Sequence, residues 1–86
     1  MKITIEYCTQ WGYEFEALSL RESLVNRFGV EVDLIQGSDG IFNVKFLHTN
    51  NATSMLFSKD EVGRFPNTDE VEDLIEGYNL VKWENH

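Results

Sequence analysis

The sequence predicts an α/β fold in which a four-stranded mixed sheet carries two helices. Four segments alternate apolar and polar residues or are rich in β-branched and aromatic residues, and two others repeat apolar residues at helical spacing. The chain has 86 residues, 42% of them hydrophobic, which is enough for one modest core and too little for two. We therefore predict a single domain over residues 1–86.

The first part of the chain predicts a β-α-β unit. Residues 2–7 alternate between apolar and polar, residues 12–28 repeat apolar side chains at helical spacing, and residues 30–35 alternate again. Gly29 suits the left-handed conformation that ends many helices. Because strands joined by a helical crossover pair in parallel, we expect the second strand to lie beside the first.

The middle of the chain predicts a β-hairpin. A glycine-rich turn at 37–40 leads into a strand at 41–47. Residues 49–51 are typical of a hairpin tip, and residues 54–57 form the return strand. The oligomeric state stays open, because this return strand is an exposed edge that can pair with a second copy.

The last helix is predicted to begin after Pro66. Asn67 and Glu70 have the spacing of a capping box, in which the glutamate reaches back to the amide of the capping residue. Apolar residues at helical spacing continue to Tyr78, and the tail from 81 to 86 is expected to fray. The other side of this helix is acidic, and we interpret it as a solvated surface made by Asp69, Glu70, Glu72, Asp73 and Glu76.

The resulting order, β-α-β-β-β-α, has a simple spatial solution. With the first strand central, its parallel partner lies on one side, the hairpin lies on the other, and both helices cover one face. This is the minimal thioredoxin-like arrangement. It places Cys8 at the carboxyl end of a central strand, where open α/β sheets bind their ligands.

The charge of the chain excludes some partners. Seven basic and fifteen acidic residues give a net charge of -8, which repels nucleic acid and anionic membrane surfaces. No apolar run reaches the roughly 20 residues that span a bilayer, and no basic segment precedes an apolar one at the N-terminus. The single cysteine fits a reducing compartment. We expect a cytoplasmic protein.

The only cysteine, Cys8, lies between the first strand and the first helix. Cys-x-x-Cys at such a turn is a redox motif, because two thiols at that spacing form a disulfide and helix amides stabilise the first thiolate. Here a tryptophan takes the place of the second thiol. We interpret Cys8 as the candidate catalytic residue, with a rim formed by Thr9, Gln10, Trp11 and Gly12.

Both Cys8 and Trp11 also have structural interpretations. Cys8 is alternatively a buried packing residue, since the nearby charges of Glu6 and Glu14 disfavour a thiolate. Trp11 either forms an aromatic wall for a peptide ligand or packs against the fold.

Three short blocks follow one another along the chain. They are Tyr7-Cys8-Thr9-Gln10, then Gly37-Ser38-Asp39-Gly40-Ile41-Phe42-Asn43-Val44, then Lys59 with Gly63-Arg64-Phe65-Pro66. In order and spacing they resemble the selenoprotein W-related (Rdx) family of thioredoxin-like proteins, in particular its short bacterial members. The resemblance spans nearly the whole chain and implies an oxidoreductase with Cys8 at the first redox position. The family has cysteine or selenocysteine at the position of Trp11.

A single sulfur narrows the chemistry that this resemblance implies. A dithiol cycle is excluded, which leaves a mixed disulfide with glutathione or a protein thiol, or a sulfenic acid. We predict a monothiol redox site at Cys8 with no cofactor, glutathione being a redox co-substrate. The alternative is a redox-inactive adaptor that binds a partner protein through the Cys8/Trp11 rim. The codon for selenocysteine differs from the codon for tryptophan by one base, so Trp11 also fits a recoded selenocysteine.

Other polar residues give weaker signals. Lys59 and Arg64 are either cations for a glutathione carboxylate or local charge balance. The turn at 37–40 either binds an anion through its amides or simply joins two strands. His48 and His86 lack the spacing of metal ligands, and we predict no metal.

Overall fold

The computed structural model describes residues 2–9, 12–38, 40–48, 50–67 and 69–77. Its strands are β1 (Lys2–Cys8), β2 (Glu31–Gly37), β3 (Phe42–Leu47) and β4 (Thr53–Ser58). Its helices are α1 (Glu14–Phe28), α2 (Lys59–Val62) and α3 (Glu70–Gly77). The predicted tail at 81–86 and the predicted helix end at Tyr78 lie outside these residues.

The strands form one sheet in the order β2-β1-β3-β4. β1 pairs in parallel with β2 and antiparallel with β3, and β3 pairs antiparallel with β4. The predicted central position of β1 and the predicted thioredoxin-like arrangement are both confirmed.

Both long helices pack on one face of the sheet. The side chains that alternate inward from β1 and β3 meet apolar residues of α1 and α3 in one connected core, because successive side chains of a strand point to opposite faces. Its fully buried members include Ile3, Ile5, Ala17, Leu24, Val44, Phe46, Val71 and Ile75. In the described part of the chain, no helix is long and apolar enough to cross a membrane.

The ends of α1 follow from two glycines. Gly29 adopts the predicted left-handed conformation, with φ of 66°, and its N–H donates to the Val25 carbonyl at 2.9 Å. Gly12 has φ of 76°, so the chain is not yet helical there. The helix therefore begins at Glu14 and not at 12.

The hairpin is confirmed, with one irregularity that the sequence does not indicate. The His48 N–H donates to the Ala52 carbonyl at 2.8 Å across the tip. Val44 pairs with Phe57 whereas Lys45 pairs with Met55, so a β-bulge lies in β4 between these pairs. The bulge lets consecutive residues of β4 become buried.

Two features of the C-terminal part differ from the sequence-based interpretation. Residues 59–62, with no apolar periodicity, form the one-turn helix α2, which ends at Gly63 with φ of 87°. Glu72 is 3% exposed and does not belong to a solvated surface, because it faces α1 and accepts a hydrogen bond from Ser23 Oγ. The interpretation of the acidic residues as fully solvated is therefore wrong at Glu72.

Candidate functional site

Cys8 is the last residue of β1 and lies at the carboxyl end of the central strand. It is 1% exposed. Because side chains alternate along a strand, Cys8 shares the face of Glu6, opposite to the helices that cover Tyr7. The thiol therefore belongs to the end of the sheet and not to the helix-covered core.

The connection between β2 and β3 crosses the end of β1 at Cys8. Gly37 is the parallel partner of Cys8, and the Cys8 N–H donates to the Ile41 carbonyl at 2.9 Å. The Ile41 N–H donates to the Ser38 carbonyl at 3.0 Å, which closes the turn. Gly37 and Ile41, at the two ends of one turn, thus lie on either side of Cys8.

Gly37 leaves the space that the Ile41 side chain occupies. A Cβ atom at position 37 would lie 2.3 Å from Ile41 Cγ2, closer than real Cβ contacts, and 3.0 Å from Glu6 Cγ, which is a tight contact. The methyl group of Ile41 therefore packs against the backbone of Gly37, beside Cys8. These contacts give Gly37 a packing role within the turn that joins β2 and β3.

The charge environment of this face includes a residue distant in sequence. Lys45 on β3 places its Nζ 3.9 Å from Glu6 Oε1. Sequence proximity suggested that Glu6 acts on Cys8 without a compensating cation. The antiparallel register of β1 and β3 supplies that cation, and only the strand pairing could reveal it.

A cation and three aromatic rings lie on the helix side of the same end of the sheet. Phe42 pairs with Tyr7, next to Cys8, and its ring centroid is 5.2 Å from that of Phe65. The Phe65 ring meets the Tyr13 ring edge-on at 4.6 Å. Lys59 Nζ lies 5.4 Å from the Tyr13 centroid and 5.5 Å from the Phe65 centroid, in the range of cation–π contacts.

Arg64, the second candidate cation, is held by α3. Its Nη1 and Nη2 donate to Glu70 Oε1 and Oε2 at 2.7 and 3.2 Å. The Asn67 N–H donates to Glu70 Oε1 at 2.8 Å, which is the predicted backward reach of the capping glutamate. The Arg64 hydrogen bond, followed by that of Asn67, holds the pKa of Glu70 below its usual value. Arg64 therefore balances a local charge.

The remaining predicted site residues are dispersed. Thr9 and Gly12 are exposed, whereas Gln10 and Trp11 lie outside the described residues. His48 Nε2 is 2.8 Å from Ser54 Oγ at the hairpin, far along the strands from Cys8. Within the described ranges, no group of three or more His, Cys, Asp or Glu side chains is placed to hold a metal ion.

A separate groove of about 210 Å³ lies between α1 and the start of α3. Cys8 is not among its lining residues, whereas the buried carboxylate of Glu72 is. The groove and the cysteine are therefore two different places on the molecule.

Comparison with known proteins gives one family and a recurring fold. The model of the Rdx family matches residues 2–77. The crystal structure of a protein from Bordetella parapertussis is similar with a TM-score of 0.75 and 29% identity, over 90% of this chain and 95% of that one. A selenoprotein W-related protein from Vibrio cholerae gives a TM-score of 0.75 and 18% identity, over 90% and 94%. No curated protein matches the chain.

Proposed function

The chain belongs to the Rdx family, and from this membership we propose that it is a redox protein that works through the single thiol of Cys8. The observation that carries the proposal is the position of Cys8 at the carboxyl end of the central strand. Ligands of open α/β sheets bind at this end. Helix α1 follows Cys8 in the chain and begins at Glu14.

The proposed reaction is thiol–disulfide exchange with glutathione disulfide. The Cys8 thiolate attacks one sulfur, a new S–S bond forms, and the original bond breaks. The departing glutathione leaves as a thiolate and takes up a proton, so Cys8 is oxidised and one glutathione is reduced. A second thiol then attacks the mixed disulfide, forms a disulfide with the bound glutathione, and returns Cys8 to its reduced form.

Burial of the thiol imposes a step before this exchange. A side chain that is 1% exposed is out of reach of a disulfide until its surroundings open. Local openings are typical of turns and strand ends, which separate from the core at lower free energy than global unfolding requires. In this proposal the turn that carries Ile41 moves, and the exchange is slower than that of an exposed thiol.

The charge of Lys59 favours a substrate disulfide that carries carboxylates. Among the described residues its ammonium group forms no ion pair. The rings of Tyr13 and Phe65 hold it at the Cys8 end of the sheet, on the face opposite to the thiol, so a carboxylate reaches it across the strand ends. Glutathione has two carboxylates, and a chain of net charge -8 offers them few other cations. We assign Lys59 the role of attracting one of these carboxylates during the exchange.

The second candidate function is a redox-inactive adaptor. The 1% exposure of Cys8 favours it, because a permanently covered thiol has only a packing role. In that case the exposed residues of the rim, Thr9 and Gly12, belong to a surface that binds a partner protein.

Intact mass separates the two functions. The native protein is incubated with glutathione disulfide and weighed before and after addition of a reductant. The redox function predicts the addition of one glutathione, removed by the reductant and absent in Cys8→Ser. The matched control is the same protein unfolded in denaturant, where Cys8 must react. If Cys8 stays unmodified in the native protein but reacts in the unfolded protein, the redox proposal is contradicted and the adaptor is supported.

A further inference from the structure

The groove between α1 and the start of α3 contains a buried carboxylate that no cation of the fold neutralises. Glu72 of α3 is 3% exposed and lines this groove of about 210 Å³. The hydroxyl of Ser23 on α1 donates to Glu72 Oε2. Among the described residues, Glu72 Oε1 accepts no hydrogen bond and neither oxygen forms an ion pair. Because buried charges in proteins are normally paired, the fold itself does not explain this carboxylate.

The other charged side chains that line the groove are also negative. They are Glu16 of α1 and Asp69, which are both exposed. Arg27 Nη1 lies 3.5 Å from Asp69 Oδ1, but Arg27 does not line the groove, and Glu16 forms no ion pair with any described residue. No lysine or arginine is among the described residues of the lining. The groove therefore favours a cation by charge.

The start of α3 does not reverse this preference. The N-terminus of a helix attracts anions through its exposed N–H groups. Here the first turn carries Glu70, Glu72 and Asp73, and Glu70 Oε1 already accepts the N–H of Asn67 at 2.8 Å. An anionic ligand would meet carboxylates at this end of the groove as well.

The uncharged residues of the lining fit a primary ammonium group on a short alkyl chain. Leu20 and Pro66 offer apolar surface, and Ser19 and Asn67 offer oxygen acceptors. A primary ammonium has three N–H donors and no acceptor, which suits a lining rich in oxygens. The volume is below the roughly 300 Å³ of pockets for drug-sized ligands, so only a short chain enters. In the described ranges, no group of three or more His, Cys, Asp or Glu is placed to hold a metal ion.

We propose that this groove binds a primary alkylammonium group, which donates a hydrogen bond to Glu72 Oε1 while its chain lies against Leu20 and Pro66. The exposed charge of Glu16 attracts the cation. This chemistry belongs both to a lysine side chain of another protein and to a small free amine. The groove is separate from Cys8, so Cys8→Ser should bind the ammonium as well as the wild type does.

An NMR titration of the isotopically labelled full chain with n-butylammonium chloride at pH 7 and constant ionic strength tests the site. We expect saturable shifts centred on the backbone amides of residues 19–23 and 69–72. n-Butanol has the same chain without the charge, sodium butyrate has the opposite charge, and neither should give these shifts. A blocked lysine, acetyl-lysine methylamide, separates the two sources. Tighter binding than that of butylammonium indicates a lysine of a partner protein, and weaker binding indicates a small free amine.

Three variants locate the charge that binds. Glu72→Gln keeps the shape of the side chain and should weaken binding at least about tenfold, since it removes a charged hydrogen-bond acceptor. Glu16→Gln should weaken binding by roughly two- to fivefold, the value of one exposed ion pair. Glu61→Gln, the same charge change at an exposed site on α2, is the matched control and should leave binding unchanged.

Circular dichroism checks the fold of each variant. Glu16 is exposed, so Glu16→Gln against Glu61→Gln decides the question even where Glu72→Gln does not fold. Shifts that do not saturate, an equal response to n-butanol, or equal weakening by Glu61→Gln would each overturn the proposal.

Discussion

Two residues far along the chain lie beside Cys8. Gly37 and Ile41 approach it from the two ends of one turn, and neither is a neighbour in sequence. The sequence places Cys8 at the end of a strand and leaves its exposure undetermined. Ile41 packs against the backbone of Gly37 beside Cys8, and in our proposal this turn opens to expose the thiol.

The contact between Gly37 and Ile41 predicts coupled effects on stability. Gly37→Ala places a Cβ 2.3 Å from Ile41 Cγ2, and such overpacking costs about 1–3 kcal/mol of unfolding free energy. Ile41→Ala removes the clashing methyl, so the double variant should lose less stability than the sum of the two single losses. Urea denaturation of the four proteins measures this coupling. Additive losses would show that the two side chains do not compete for one space.

The charge of Lys59 should make Cys8 react faster with a negatively charged disulfide than with an uncharged one. Lys59→Gln removes the cation and should slow addition of glutathione disulfide by roughly two- to fivefold, the value of one exposed ion pair. The rate with an uncharged disulfide should stay unchanged. Lys2→Gln, the same substitution at the opposite end of β1, is the control. Equal slowing with both disulfides would contradict an electrostatic role, whereas loss of all reactivity would indicate damage to the fold.

Among the elements, α1 and α3 show how far local sequence determines structure. Periodicity and capping residues predict both helices, because these signals act within a few residues of one another. They do not predict α2, a single turn without an apolar stripe, or the bulge in β4, which depends on how two strands pair. The burial of Glu72 depends likewise on Ser23 of another helix.

The end of α1 depends on glycine. Gly29 has φ of 66°, and a residue with a Cβ loses about 1–2 kcal/mol in this left-handed conformation. Gly29→Ala should therefore lower the free energy of unfolding by about that amount, measured by urea denaturation. No heavy atom lies within 4 Å of the added Cβ, so the loss is conformational and not steric. Unchanged stability would contradict a left-handed residue at this position.

The start of α3 predicts a pH-dependent contribution from Glu70. Its folded-state pKa is lowered below 4.5 by Arg64 first and then by the Asn67 N–H. The ionised form thus stabilises the fold above the unfolded pKa, and this stabilisation is lost as the pH falls through the folded pKa. Glu70→Gln should be less stable than wild type at pH 7, and the difference should shrink toward pH 3.

Urea unfolding at both pH values measures this difference. Glu61→Gln, an exposed glutamate of α2 without an ion pair among the described residues, is the matched control and should cost little at either pH. If Glu70→Gln lowers the free energy of unfolding equally at pH 7 and pH 3, the charge of Glu70 is not the source of the stabilisation.

At the scale of the whole molecule, the topology joins these features at one end of the sheet. The β-α-β unit and the hairpin fix the order β2-β1-β3-β4, and this order follows from the sequence because crossover and hairpin connections have restricted geometries. The pairing of Glu6 with Lys45 and the placement of Lys59 over two rings required the folded structure. Long-range pairs of this kind leave no periodic signal in the chain.

In our proposal Cys8 reacts in the folded protein through a local opening. The most direct test measures the rate of glutathione addition to Cys8 at several denaturant concentrations, all below the unfolding transition. A local opening exposes little surface, so we expect a rate that is nearly independent of denaturant. A rate that rises as steeply as the global unfolding equilibrium would contradict it, because the thiol would then react only in the unfolded chain.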